Sequence, residues 1–231
     1  MKVKTWSFLP VVAFLLATTV ALAFEAAPGV GPDAALQRLL EGNRSFVANR
    51  LTIKESSAPA KRLALASGQH PYAVILSCSD SRVPPEIIFN KGLGELFVVR
   101  DAGNVVDPLI LGSIEYAVEH LGSSLIMVLG HSRCGAVKAA LDATGHEDPN
   151  VGAIIKRIAP AVQLARKEIK GKDKSGLYES AIDFNIKLSA QALLSESPII
   201  RSLVDSGKVR IVCAEYDVQD GTVKTMSCKM K

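Results

Sequence analysis

Hydrophobic and polar positions follow two periods along this chain. A helical period starts at Asp33, which is expected to cap a helix that carries Leu36, Leu39, Leu40 and Phe46 on one side. Later helices are predicted at Ala60–Ser67, Pro108–Leu121, from Cys134 to about Ala143, and over most of 150–206. Short apolar runs typical of buried parallel strands separate them, at Tyr72–Ser77, Leu96–Val99, Ser124–Leu129 and Val209–Ala214, with an edge strand at 221–226.

This alternation of strands and helices predicts an α/β fold. The sheet is expected to be mainly parallel, with four to five strands flanked by helices and preceded by an N-terminal helical arm. The chain has 231 residues, 48% of them hydrophobic, which suits a single domain over 33–231 with a substantial core.

The first 23 residues have the composition of a secretory signal peptide. Lys2 and Lys4 precede an apolar run from Trp6 to Ala23, and the run ends in a small-x-small pattern at residues 21–23. We expect cleavage after Ala23, a flexible lead-in over 24–32, and export to the periplasm or the medium without a stable membrane anchor. The alternative is an uncleaved anchor, whose apolar length would lie near the lower limit for spanning a bilayer.

The charge balance argues against a nucleic-acid partner. Removing residues 1–23 takes away two lysines and no acidic residue, which leaves 25 basic and 23 acidic residues and a net charge of +2. The basic residues are scattered among acidic ones, as on an ordinary solvated surface.

Two of the four cysteines lie beside other residues that bind metals. Cys78 follows the first predicted strand, whereas His131 and Cys134 follow the third. Because ligands collect at the carboxyl ends of parallel strands, these side chains are expected to meet there. Two thiolates and one imidazole suit zinc, with water in an open fourth position or Asp80 closing it. The spacing alone also allows the alternative that each of these cysteines and the histidine is a buried structural residue and binds no metal.

Several segments together resemble one enzyme family. Residues 78–83 (Cys-Ser-Asp-Ser-Arg-Val) and 131–135 (His-Ser-Arg-Cys-Gly) are similar to the paired signatures of the β-class carbonic anhydrases, in order and in separation. Residues 100–104 (Arg-Asp-Ala-Gly-Asn) resemble the family's Arg-Asn-Ala-Gly-Asn segment, and 197–200 and 212–223 resemble its last helix and strand. The resemblance implies a fold of the β-carbonic anhydrase type.

The resemblance also implies a reaction. It is the zinc-dependent, reversible hydration of CO2 to bicarbonate and a proton by zinc-bound hydroxide, the activity of a lyase. One Zn2+ per subunit would be held by Cys78, His131 and Cys134. Asp80 and Arg82 would form a catalytic dyad in which Arg82 grips Asp80 through two hydrogen bonds and keeps it ionised. In a closed state Asp80 would instead be the fourth ligand.

A substrate pocket is implied in the same way. Gln69 would hydrogen-bond the substrate and Gly135 would offer it a backbone N–H. Phe97, Ala102 and Tyr116 would line an apolar pocket, partly from a neighbouring subunit. The resemblance therefore implies a homodimer or a dimer of dimers.

The chain departs from the family pattern in three respects. Asp101 stands where the family often has Asn, which leaves the local hydrogen bonding open. Ile75 stands where some bacterial members use a Trp to build a noncatalytic bicarbonate site, and this argues against such a site here. Most familiar members, thirdly, are not exported.

The remaining cysteines and histidines have ordinary explanations. Cys213 is expected in the core and Cys228 on the surface, and a Cys213–Cys228 disulfide is the alternative in an oxidising compartment. The other histidines, which could shuttle protons, are better explained as surface residues; they are His70, His120 and His146.

Two other functions stay open at this point. A hydrolase of carbon disulfide or carbonyl sulfide would share the scaffold, the zinc site and the dyad. A zinc or redox protein without turnover would share the thiolates alone, but it would need neither the dyad nor Gln69.

Overall fold

The computed structural model describes residues 29–169 and 173–230. Their strands are β1 (Ala73–Cys78), β2 (Leu96–Asp101), β3 (Leu125–His131), β4 (Arg210–Tyr216) and β5 (Val223–Met226). Their helices are α1 (Pro32–Val47), α2 (Ile53–Ser56), α3 (Pro59–Ala64), α4 (Pro85–Ile88), α5 (Pro108–Glu119), α6 (Gly135–Asp142), α7 (Pro149–Glu168), α8 (Lys174–Glu196) and α9 (Pro198–Asp205).

The strands form one sheet in the order β2-β1-β3-β4-β5. The first four strands are parallel and β5 runs antiparallel to β4. The predicted fold class, a mainly parallel sheet of four to five strands with flanking helices, is thereby confirmed. Because β1 and β3 are adjacent and parallel, their carboxyl ends lie next to each other at the same end of the sheet.

Hydrophobic side chains cover both faces of this sheet. Alternate residues of a strand point to opposite faces, so Val74 and Leu76 join one core cluster while Ala73 and Ile75 join the other. Residues of α5–α9 supply most of the first cluster, and α1 and α4 contribute to the second. A strand buried on both faces accounts for the uninterrupted apolar run at the start of β1.

Local differences from the predicted elements concern the ends of elements and the shortest helices. The strands β1 and β3 extend to Cys78 and His131, so both residues lie within the sheet's hydrogen-bonded frame. The helices α2 and α4 have four residues each, too few to show a helical period.

The prediction that Asp33 caps the first helix is wrong. Gly31 occupies the cap position, Pro32 starts the helix, and no side chain among the described residues caps it. A proline fits there because the first turn leaves its N–H groups unpaired anyway. Asp33 instead accepts a hydrogen bond from Arg210 at 2.6 Å, which ties α1 to the start of β4.

The two remaining cysteines form a disulfide between Cys213 and Cys228. Cys213 is fully buried in the core, as predicted, but Cys228 is half-buried against that core and is not a free surface residue. Since β5 leads directly to Cys228, the bond ties the last strand to β4. It is the pairing that the sequence left as an alternative.

The predicted signal peptide at 1–23 and most of the lead-in lie outside the described residues. Within 29–169 and 173–230, no helix has both the length and the apolar character needed to cross a bilayer.

Candidate metal centre and active site

Three side chains from two neighbouring strand ends converge on one point. Cys78 is the last residue of β1, His131 is the last residue of β3, and Cys134 precedes the first residue of α6. One ligand atom from each lies within 4.8 Å of the other two, and all three residues are buried. Two sulfurs and one nitrogen at this separation match the donor set that zinc prefers.

The imidazole of His131 is oriented for a metal ion. Its Nδ1 lies 2.9 Å from the carbonyl oxygen of Ser132. A carbonyl only accepts, so Nδ1 carries the proton and Nε2 keeps a free lone pair. Nε2 is buried and has no hydrogen-bond partner within residues 29–169 and 173–230, although buried polar atoms nearly always have one. A cation bound between Nε2 and the two sulfurs would satisfy this nitrogen.

The pKa values of the two thiols are shifted in opposite directions. A hydrogen bond from the Cys134 thiol lowers the pKa of Cys78, helped by His131 and by the backbone N–H of Gly103, and burial opposes the shift. The same bond to Cys78, together with burial, raises the pKa of Cys134. One thiolate is therefore stabilised next to a second sulfur that keeps its proton. A divalent cation would replace that proton and hold both sulfurs as thiolates.

Asp80 and Arg82 form a bidentate pair beside the cluster. Arg82 donates through Nε to Asp80 Oδ1 at 2.9 Å and through Nη2 to Oδ2 at 2.7 Å. These side-chain bonds hold the pKa of Asp80 well below its usual range, although burial works in the opposite direction. Asp80 Oδ2 lies 3.9 Å from His131 Nε2. The carboxylate thus stays ionised next to the cluster, with its oxygens held by Arg82.

Backbone carbonyls on both sides anchor the dyad. Arg82 Nη2 also donates to the carbonyl of Arg133 at 3.3 Å, and Arg100 donates to the carbonyls of Cys78 and Asp80 at 3.0 and 2.7 Å. Arg133 has a φ of 55°, in the left-handed region that is unusual for a side-chain-bearing residue. This turn allows the three-residue spacing between His131 and Cys134 to bring both residues to one point.

The loop after β2 supports the sulfur of Cys78. Gly103 donates its N–H to Cys78 Sγ at 3.3 Å, and its own carbonyl accepts from Asn185 at 2.7 Å. At the position where the family often has Asn, Asp101 acts as a hydrogen-bond acceptor. Its Oδ1 accepts a hydrogen bond from the N–H of Val105 at 3.0 Å. Burial, with the charges of Cys78 and Asp107, raises the pKa of Asp101 to about 7.

Sequence reasoning missed a support from α8. The Tyr178 hydroxyl donates to the carbonyl of Cys134 at 2.7 Å. Burial and nearby negative charges raise the pKa of Tyr178 to about 12, so its hydroxyl remains a donor at neutral pH. No local motif marks this residue, which is 44 positions from Cys134, and only the packing of α8 on the site shows its role.

Comparison with known proteins decides the family. The sequence profile described as carbonic anhydrase matches residues 73–223. Carbonic anhydrase 2 of Mycobacterium tuberculosis is 42% identical over 197 residues, which cover 84% of this chain and 92% of that protein. This chain belongs to the carbonic anhydrase family. It is an enzyme of the lyase class, and the solved structures similar to it place it in the β class.

Two of these structures show how far the similarity extends. The Coccomyxa β-carbonic anhydrase, in complex with acetazolamide, is 27% identical with a TM-score of 0.68, covering 83% of this chain and 86% of that one. A tetrameric β-carbonic anhydrase from the filamentous ascomycete Sordaria macrospora is 25% identical with a TM-score of 0.67, covering 85% and 98%.

A single copy of this chain brings together only part of the predicted substrate pocket. Gly135 is the exposed first residue of α6, directly after Cys134, and Ala102 is half-buried directly after β2. Gln69, by contrast, is exposed in the loop before β1, at the end of that strand away from Cys78.

The two predicted aromatic residues of the pocket also lie away from this chain's cluster. Phe97 is paired in register with Val74, four residues before Cys78, or about 13 Å along the strand. Its ring lies 6.4 Å from that of Tyr116, which is 49% exposed. Phe97, Tyr116 and Gln69 therefore remain predictions for a pocket completed by a second chain.

The other residues that the sequence singled out lie apart from the cluster. Ile75 is fully buried in the core. His70, His120 and His146 are exposed.

Proposed function

We propose that this carbonic anhydrase binds one zinc ion per subunit through Cys78, His131 and Cys134 and hydrates CO2 reversibly to bicarbonate and a proton. The observation that carries the proposal is the buried Nε2 of His131, which has no hydrogen-bond partner among the described residues and lies beside two thiols in a chain of this family. Zinc, when bound, supplies the Lewis acidity that makes water nucleophilic near neutral pH.

In this proposal Asp80 is a hydrogen-bond acceptor beside the metal. Its oxygens are engaged by Arg82, which favours an open coordination position over a closed state in which Asp80 is the fourth ligand. An ionised carboxylate at this place can accept a hydrogen bond from an O–H group of the attacking water and so orient the lone pair of that water. Arg82 keeps Asp80 ionised and turned toward this position, and the Arg133 carbonyl fixes the guanidinium in turn.

We further propose that the active form is a homodimer or a dimer of dimers. Strand β2 is an edge of the sheet. Helix α5, whose Tyr116 lies beside Phe97 of β2, leaves Tyr116 and Leu109 exposed by 49% and 81%. Unpaired strand edges and exposed apolar side chains favour association. A second chain would bring Gln69, Phe97 and Tyr116 to a site that lacks them within one subunit, and the Sordaria relative is described as tetrameric.

Export is proposed on two grounds. The basic start, the apolar run and the pattern at residues 21–23 support a cleaved signal peptide. The Cys213–Cys228 disulfide supports an oxidising compartment. N-terminal sequencing of the exported protein should give Phe24 as the first residue, and an intact Met1 in the soluble cytoplasmic fraction would overturn the proposal.

The dyad is the part of the mechanism that variants test most directly. Arg82→Ala and Asp80→Asn are both expected to keep their zinc, because the three ligands remain, and to lose most of the CO2 hydration rate. Zinc content and initial rate are measured on the same samples. Arg44→Ala serves as a control, since Arg44 is another exposed arginine paired with a carboxylate, at 3.9 Å from Glu41.

The outcomes separate the competing functions. A wild-type rate in Arg82→Ala would remove the dyad from the mechanism, and loss of zinc in either variant would make these residues part of the metal site. Wild-type protein that holds zinc but hydrolyses carbon disulfide or carbonyl sulfide in preference to hydrating CO2 would identify the hydrolase. Zinc without turnover of any of these substrates would indicate a binding protein.

A further inference from the structure

The four cysteines of this chain fall into two pairs with different oxidation states. Cys213 and Cys228 are joined in a disulfide, whereas Cys78 and Cys134 are free thiols. A disulfide persists only under oxidising conditions, and the same conditions act on the second pair. The question is what keeps Cys78 and Cys134 reduced.

The geometry of the free pair allows them to be joined. Their sulfurs lie within 4.8 Å of each other. A disulfide needs a sulfur–sulfur distance of about 2.05 Å, so one sulfur must move toward the other. Cys134 is the more movable of the two, because it lies in the turn between β3 and α6, whereas Cys78 is the last residue of β1 and is paired with Asp101 of β2.

A bound zinc ion would prevent this movement. Two sulfurs at about 2.3 Å from one tetrahedral zinc ion stay about 3.8 Å apart, too far to bond. Coordination also occupies the sulfur lone pairs that would attack an oxidant.

Because both cysteines are buried, only a small oxidant can reach their sulfurs. Cys78 is 4% exposed and Cys134 is 1% exposed. Bulky disulfides would not reach sulfurs buried to this extent, whereas a small neutral molecule that enters where CO2 is expected to enter would. Hydrogen peroxide has this size and charge.

We propose that Cys78 and Cys134 are a redox-sensitive pair that the metal protects, and that hydrogen peroxide joins them in a second intramolecular disulfide when the metal is absent. This inference rests on the metal site put forward under the proposed function. According to this inference, the two thiols stay reduced in an oxidising compartment only while the metal site is occupied, because burial alone does not protect them.

The chemistry balances with peroxide as the only co-reactant. The thiolate of one cysteine of the pair attacks one peroxide oxygen, the O–O bond breaks, and the departing hydroxide takes up the proton lost by that thiol to become water. The sulfur of the other cysteine then attacks the resulting sulfenic acid. The S–O bond breaks, an S–S bond forms, and the hydroxide leaves as water with the proton of the second thiol. Two thiols are oxidised by two electrons and one peroxide is reduced to two waters.

The test compares the mature chain with and without metal. Zinc content is measured first on the reduced protein. Samples with bound zinc, or with zinc removed by a chelator, are treated with hydrogen peroxide, denatured, and assayed for free thiols and for linked peptides by mass spectrometry. Circular dichroism before peroxide treatment checks that the metal-free chain is folded. The Cys213→Ser/Cys228→Ser variant, treated in parallel, excludes exchange with the existing disulfide.

We expect the metal-free sample to lose both free thiols and to yield a peptide linked through Cys78 and Cys134, while the zinc-loaded sample keeps both. Reduction by a phosphine should restore zinc binding. Retention of both thiols without metal, a sulfinic acid on Cys78 in place of the linked peptide, or equal loss with and without zinc would overturn the inference. A reduced chain that binds no zinc at the first step would instead refute the metal site itself.

Discussion

Gly103 offers a quantitative test of how the fold supports the metal site. Its φ is 87°, in the region that residues with a side chain rarely adopt. A Cβ atom placed on it would lie 2.7 Å from Ile158 Cδ1 and 3.1 Å from the Cβ of Ala136. Its N–H donates to the sulfur of Cys78. Gly103→Ala therefore disturbs the backbone, the packing and a ligand at once.

The expected cost follows from these contacts. Forcing a side-chain-bearing residue into the left-handed region costs about 1–2 kcal/mol. Overpacking a filled core by one methyl group costs about 1–3 kcal/mol. The free energy of unfolding should fall by about 2–5 kcal/mol in total, which lowers the melting temperature by roughly 4–20 °C in a chain of this size.

A matched glycine gives the opposite expectation. Gly152 is half-buried within α7, and a Cβ placed on it would lie 3.8 Å from the carbonyl oxygen of Glu147, an ordinary van der Waals contact. Gly152→Ala should stabilise the protein by about 0.5–1 kcal/mol, because alanine loses less backbone freedom in a helix. Thermal unfolding of both variants is measured at equal protein concentration, together with retained zinc after dialysis against a chelator.

We expect a large loss of stability for Gly103→Ala, with less zinc retained, and a small gain for Gly152→Ala with zinc unchanged. An equal melting temperature for Gly103→Ala and the wild type would show that the loop relaxes at little cost. Reduced stability with wild-type zinc retention would show that the N–H of Gly103 does not matter for the sulfur of Cys78.

Three further predictions concern other parts of the fold. Tyr178→Phe should lower zinc affinity about tenfold, as measured by chelator competition, because the Cys134 carbonyl loses its donor; unchanged affinity would refute this role. Cys213→Ser/Cys228→Ser should lose about 3 kcal/mol of stability, since the bond spans 15 residues, and wild-type thermal unfolding would contradict it. Burial and neighbouring carboxylates raise the pKa of Glu215, so its contribution to stability is present at low pH and is lost as pH rises from its unfolded-state pKa through its folded-state value. Glu215→Gln should therefore be more stable than the wild type at pH 8 but not near pH 4 in urea unfolding; a gain that is the same at both pH values would exclude this cause.

The sequence by itself determined the fold class and the ligand candidates because both depend on local signals. Continuous apolar runs mark strands buried on two faces, and the polar residues directly after them mark strand ends. The short motifs around Cys78 and His131 were therefore sufficient to indicate where the chemistry lies. They could not show that both residues belong to the strands themselves, because strand ends are set by pairing with neighbours.

Tertiary structure alone decided which distant residues support the site. Tyr178 and Asn185 on α8 reach Cys134 and Gly103 through the packing of a long helix, and no periodic pattern records such contacts. The pairing of Cys213 with Cys228 likewise required β5 to return antiparallel beside β4. Local periodicity specifies elements, whereas the partners of a side chain depend on which elements meet, and that is determined by packing of the whole chain.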